Sequence, residues 1–304
     1  MLVRASRPAR PFRLLAGVAL SGVLVAAASG CGKEEAAPAD GTDDALAGRA
    51  RQVAEAWDGS ASAAAWRTGY HPTGEAVQLP RGGLRGRADE QAFEDGRFVL
   101  RGELPGAGPG DGRVAWHGGK TLKRPLVGAD ESYGSLARSR GAGKPQLTVT
   151  GVELGEMRLA TSRGPATVPA WLFTLDGYAS PLRQAAVLPS KPPRPPIGRA
   201  QGIPGLPLDR LVRTAADGRS VTVIALHGAC DDGAVVDARE TTGSVVLAAA
   251  VKDRQEGGLC TDQAKMQQVT VALDRPVGDR VLLDAHTGRP VPYKGMHGIT
   301  PSGG

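Results

Sequence analysis

The sequence contains no asparagine, so its turns must rely on Gly, Pro and Asp. Asp-Gly pairs recur at Asp58-Gly59, Asp95-Gly96, Asp111-Gly112, Asp176-Gly177, Asp217-Gly218 and Asp232-Gly233. Aromatic residues make up only 4% of the chain, so any core must be built mainly from Val, Leu, Ile and Ala. No G-x-S-x-G elbow, H-E-x-x-H helix or G-x-G-x-x-G fingerprint is present. Gly118-Gly119-Lys120-Thr121 imitates the end of a phosphate-binding loop. Val114 stands where that loop needs its first glycine, and Leu122-Lys123-Arg124-Pro125 follows where a helix should start. The segment reads as a hairpin turn. The formal charge of +6 is also thin: Arg4, Arg7, Arg10 and Arg13 account for four of the 37 basic residues, and all lie in a segment expected to be removed. The remaining 33 basic residues face 31 acidic ones, which argues against nucleic acid as a partner.

Residues 1–30 read as a signal peptide. Met1 to Arg13 is basic and free of acid, and Leu14 to Ser29 is apolar. The apolar run is short for a spanning helix, which needs about 20 residues. Gly17 and Gly22 weaken it further as a permanent span. Ala28-Ser29-Gly30-Cys31 then resembles the lipobox of bacterial lipoproteins, with Ala28 where Leu is usual. The resemblance implies cleavage before Cys31 and lipid on its thiol. Residues 31–43, with Glu34, Glu35, Asp40 and Asp43, read as a flexible, solvated tether.

Three cysteines are present. With Cys31 lipidated, Cys230 and Cys260 remain, and an exported pair reads as a disulfide. Its rival is a metal site using His227, Cys230 and Cys260 with Asp231 or Asp232, whose spacing is weak for a ligand set. Asp231, Asp232 and Asp237 lack the full spacing of a calcium loop. No metal or cofactor is expected.

The fold class expected is α+β, mainly β: short N-terminal helices, then two small β-rich units joined by a proline-rich linker. Residues 44–188 form the helix plus β-rich unit, with helix to about residue 70 and Ser60 capping its second part. Strands are expected at 76–79, 97–104, 113–116, 120–123, 146–152 and 167–175. The last is apolar on both faces and so doubly covered. Ser162-Arg163-Gly164-Pro165 reads as a tight turn, with a ligand contact as the rival. Residues 189–208 hold seven prolines and should run extended. Residues 209–294 form the second β-rich unit, with strands at 220–226, 244–252, 268–273 and 280–283; residues 295–304 read as a disordered tail. Thr148-Val149 and Thr222-Val223, each about twenty residues before a long apolar strand, hint at duplication.

Three stretches also resemble uncharacterised lipoproteins of high-GC Gram-positive bacteria: Leu147 to Tyr178, Gln52 to Pro72 with its WDGS and RTGYHP, and Cys230 to Tyr293. The resemblance implies a lipid-anchored position on the outer face of the cell membrane and no particular activity. The functional expectation is a non-catalytic binding or structural protein of the envelope, whose partners are the membrane through its anchor and a cell-wall component or another envelope protein. The alternative is an extracytoplasmic hydrolase of wall or peptide substrates, which needs a Ser/His/carboxylate site assembled in space.

Overall fold

The structure, a computed structural model, describes residues 40–106, 110–139, 143–252, 261 and 263–293. The export segment with Cys31, the partner cysteine Cys260, and residues 295–304 lie outside the described residues. Strand outweighs helix, 40% to 16%, so the protein is α+β and mainly β.

Helix α1 (Asp40–Trp57) buries Leu46, Ala50, Val53, Ala54 and Trp57, a stripe repeating every three or four residues. Asp58-Gly59 ends it. Ser60 then accepts the N–H of Ala63 at 3.1 Å and starts α2 (Ala61–Thr68), the cap expected from its sequence.

A large sheet follows, built from β1 (Val77–Gln78), β2 (Phe98–Leu100), β3 (Asp111–Trp116), β4 (Thr121–Pro125), β5 (Leu147–Thr161), β6 (Gly164–Leu175) and β7 (Leu182–Ala185). β6 lies at its centre. It pairs antiparallel with β5 along its full length, and on its other edge with β7 and β3. One face of β6 buries Trp171, Phe173 and Leu175 with Phe93 and Leu182; the other buries Val168 and Ala170 with Val114, Met157 and Leu159. The expected double cover is therefore present. It comes in part from two short helices missing from the sequence reading, α3 (Arg87–Glu94) and α4 (Ala129–Leu136). Neither has a side-chain N-cap. Asp89 and Glu90, and Asp130 and Glu131, instead place negative charge in the first turn, against the positive end of the helix dipole. β3 and β4 form the expected hairpin, closed by Gly118 and Gly119 at φ +84° and +81°.

The later strands form two sheets. One orders β8 (Arg210–Thr214), β9 (Ser220–Gly228) and β12 (Ala264–Ala272) as β12-β9-β8; the other orders β10 (Ala234–Glu240), β11 (Ser244–Val251) and β13 (Val281–Asp284) as β10-β11-β13. Val221, Val223 and Ala225 of β9 meet Val245, Leu247 and Ala249 of β11 in the core between the sheets. β11 and β13 are parallel, and β12, in the other sheet, supplies the crossover that a parallel pair requires. The hint of duplication gains no support, because one block makes a single seven-stranded sheet and the other a sandwich of two three-stranded sheets.

The N-terminal helices pack differently from the expected grouping of residues 44–188. Leu46, Val53, Trp57 and Ala63 bury against Val246, Ala248, Val281 and Leu283, the outer face of the β10-β11-β13 sheet. β11 is apolar on both faces, and α1 and α2 supply most of the cover that its second face needs. Trp57 Nε1 donates to Gly288 O at 2.7 Å, Ser244 Oγ to Asp58 Oδ1 at 2.9 Å, and Arg67 Nη2 to Gly243 O at 3.2 Å.

The proline segment runs extended without a ladder and is pinned to the helices and the sandwich. Ser62 Oγ donates to Arg194 O, Ala200 N to His286 O, and Ile197 and Ile203 pack on the helix-side core. At Gly205, φ is +87° and an added Cβ would lie 2.1 Å from Ala249 O, so the strap touches the backbone of β11 where only glycine fits.

Candidate functional site

The densest group of unusual side chains lies where α2 ends against the turn between β5 and β6. Ser162 and Arg163 form a two-residue turn, as the sequence suggests. Thr161 Oγ1 fixes it: it donates to Gly164 O at 2.6 Å and accepts Arg163 N at 3.1 Å and Trp116 Nε1 at 3.0 Å. Gly164 takes φ +88° to close the turn. The turn lays the Arg163 guanidinium 3.8 Å over the Trp116 ring. From there Nη1 donates to Thr68 O at 3.1 Å, at the C-terminus of α2, where a cation suits the helix dipole.

His71 sits beside this turn and is only 5% exposed. Its ring stacks on Trp66 at 3.8 Å with an 8° interplanar angle, and its carbonyl accepts Ser162 N at 2.9 Å. Burial first, and then the charges of Arg124 and Arg163, push its pKa down to about 4, so the ring is neutral at pH 7. His71 Nε2, Tyr70 Oη and Ser162 Oγ are buried and have no hydrogen-bond partner. Burial holds the Tyr70 phenol above its usual range, Arg124 opposing.

Nucleophilic catalysis needs a hydroxyl hydrogen-bonded to its base, and the base oriented by a third group. Ser162 and His71 are neighbours, but neither side-chain atom is bonded to the other, and no carboxylate is among the groups acting on His71. The other buried histidines serve turns and the strap. His227 Nδ1 lies 2.9 Å from Gly228 O, and His286 Nε2 lies 2.9 Å from Pro204 O. Asp231 accepts Gly228 N at 2.6 Å, which closes the turn that carries Cys230. Among the described residues, no group of three or more His, Cys, Asp or Glu side chains could hold a metal ion. Cys230 is not a free thiol.

A second concave feature opens between α1 and the edge strand β10. Leu46, Ala47, Ala50 and Ala248 line it, with Asp237 and Arg239 also contributing, and its volume is about 330 Å³. That is near the lower limit of small-molecule sites. Among the described residues, no helix is long and apolar enough to cross a membrane.

In the sequence, 162–165 reads as a turn and the RTGYHP stretch stands apart from it, with nothing to join the two. Ninety-odd residues separate them, and no spacing rule spans that gap. Comparison with protein-family models, with curated proteins and with solved structures finds no match.

Proposed function

We propose that the chain is the precursor of a lipoprotein that is cut before Cys31, anchored by lipid on that thiol at the outer face of the cell membrane, and non-catalytic, with a binding or structural role in the envelope. The observation that carries this reading is the order basic segment, apolar run, Ala28-Ser29-Gly30-Cys31. The start of α1 at Asp40 fits it, since nine residues can span at most about 30 Å and would hold the folded part near the membrane. The resemblance to uncharacterised lipoproteins of high-GC Gram-positive bacteria points the same way. A non-catalytic role is supported by how the candidate groups are used. His227, His286, Asp231 and Asp284 each bond to backbone at a turn or strap, and the Ser162–His71 neighbours lack the bond and the acid that hydrolysis needs.

The same reading makes Cys230 and Cys260 a disulfide. Closing a loop of this length would stabilise the fold by about 3–4 kcal/mol in the chain-entropy model. Cell fractionation tests the anchor: the wild-type protein should sediment with membranes, and Cys31→Ala should leave that pool or keep its export segment. A wild-type protein found wholly with soluble cell contents would overturn the proposal. Intact mass before and after reduction tests the cross-link, with a gain of two hydrogens expected.

A further inference from the structure

Residues 69–72 are where the chain passes from one body to the other. Up to Thr68 the helices are fastened to the sandwich through Trp57, Asp58 and Arg67. From Tyr70 onward the chain belongs to the large sheet: Tyr70 is fully buried in its core, Pro72 bridges Thr161, and Thr73 N donates to Ala160 O at 2.9 Å. His71 lies at this crossing, with its ring on Trp66 of α2 and its carbonyl on Ser162 of the sheet. Among the described residues, polar ties that cross nearby include Arg163 to Thr68 O and Gly69 O, and Tyr293 Oη to the Glu75 carboxylate at 3.1 Å.

We propose that this crossing is a proton-sensitive joint, closed while the His71 ring is neutral and loosened when the ring takes a proton. The charges facing His71 are both positive, Arg124 from β4 and Arg163 from the β5–β6 turn; Tyr70, the titratable neighbour on its own segment, stays neutral. Arg67 of α2 is directed to Gly243 O instead. Nε2 has no acceptor, and a Cβ on Gly69 would lie 2.4 Å from it, so the Gly69 backbone closes over that nitrogen. A proton on the buried ring would add a third cation beside two half-buried guanidinium groups, and an N–H with nothing to bond. Relief requires the ring to leave, which breaks the Trp66 stack and frees the Ser162 amide. In solvent the ring titrates near 6.5, so the open form takes up the proton first as the pH falls. The closed form is therefore fully favoured above pH 6.5 and loses ground by about tenfold per pH unit down to about pH 4.

Amide hydrogen exchange on the full chain, corrected for intrinsic pH dependence, tests the joint. Protection at Ser162 and Thr73 should fall about tenfold between pH 7.5 and pH 5.5 while the β9–β12 ladder keeps its protection. His71→Gln should make the joint amides insensitive to pH over that range, whatever their baseline. Arg163→Gln, which removes one cation and leaves the histidine, should keep the onset near pH 6.5 but end the loss at a higher pH, so that the total loss down to pH 4 is smaller than in the wild type, and it carries the test if His71→Gln fails to fold. A wild-type slope retained in His71→Gln, a total loss down to pH 4 in Arg163→Gln as large as or larger than in the wild type, or joint amides that lose protection only together with β9–β12, would overturn the proposal.

Discussion

The large sheet and the C-terminal sandwich fill their β cores differently: the first gathers Phe93, Phe98, Trp116, Trp171 and Phe173, while the second is built almost wholly from Val, Leu and Ala. The large sheet depends on one long strand pair. β5 and β6 run together for twelve residues, and β5 carries on past the cover of α3 and α4, leaving Leu154 half exposed. The sandwich has shorter strands and is clipped at its ends by polar side chains. Gln267 Oε1 accepts Ala234 N at 2.7 Å, and Glu240 accepts the amides of Asp274 and Arg275 while pairing with Arg280 at 2.7 Å. These clips tie the edge strand β10 to β12 and the loop after it, where no ladder exists. Asp284 does similar work at the end of β13, accepting Leu208 N at 2.9 Å and Thr287 N at 2.6 Å. The polar clips therefore belong to the sandwich, whose apolar side chains are small, and the long ladder to the sheet with the aromatic core.

The largest expected effect sharpens this contrast. Trp57→Ala removes a fully buried ring and its bond to Gly288, and should cost about 3–5 kcal/mol, read by chemical denaturation. Hydrogen exchange should show the loss first in β11 and β13 and only later in β5–β6. Arg280→Met leaves the nearly buried Glu240 carboxylate without its countercharge and should cost a similar 3–5 kcal/mol; adding Glu240→Leu should recover part of it, since the Asp274 and Arg275 amides then lose their acceptor. If the double variant is no more stable than Arg280→Met, the clip is not acting through charge.

Acid should act on the same clip. Burial alone would raise the Glu240 pKa, but the hydrogen bonds from Arg280 and from the Asp274 and Arg275 amides outweigh it and hold the pKa below the ordinary carboxylate value. The native state thus binds fewer protons than the unfolded one in that range. The contribution is full above the ordinary carboxylate pKa and is lost as the pH falls through the lowered one. Glu240→Gln should flatten that part of the stability curve.

A smaller effect tests the strap. Gly205→Ala forces a side chain onto the Ala249 carbonyl at positive φ and should cost about 1–3 kcal/mol, against a few tenths for an exposed strap glycine such as Gly198, which has nothing within 4 Å. The smallest belongs to the uncovered part of the large sheet. Leu154→Thr should change stability by no more than about 0.5 kcal/mol in a melting curve.

Much of this architecture was legible in the sequence because it is local. β6 announces itself as apolar on both faces, β11 as a long apolar strand, Ser60 as a cap, and Gly118-Gly119 and 162–165 as turns. β10 escaped because its pattern is mild: Ala234, Val236 and Ala238 face the core, and Val235, Asp237 and Arg239 face away, with two alanines carrying much of the signal. α3 and α4 are eight residues each, too short for periodicity to stand out, and α4 contains Gly134. The docking of α1 on β11 was not legible at all, since its partners lie almost two hundred residues away. The His71 cluster failed for the same reason, although each of its residues was in view.

Mass spectrometry of the N-terminal peptide from the membrane fraction tests the lipoprotein reading most directly. The expected result is a peptide that begins at Cys31 and carries the added mass of a diacylglyceryl group on that thiol. A peptide that still contains Leu14 to Ser29, or one that begins at Cys31 with an unmodified thiol, would contradict it.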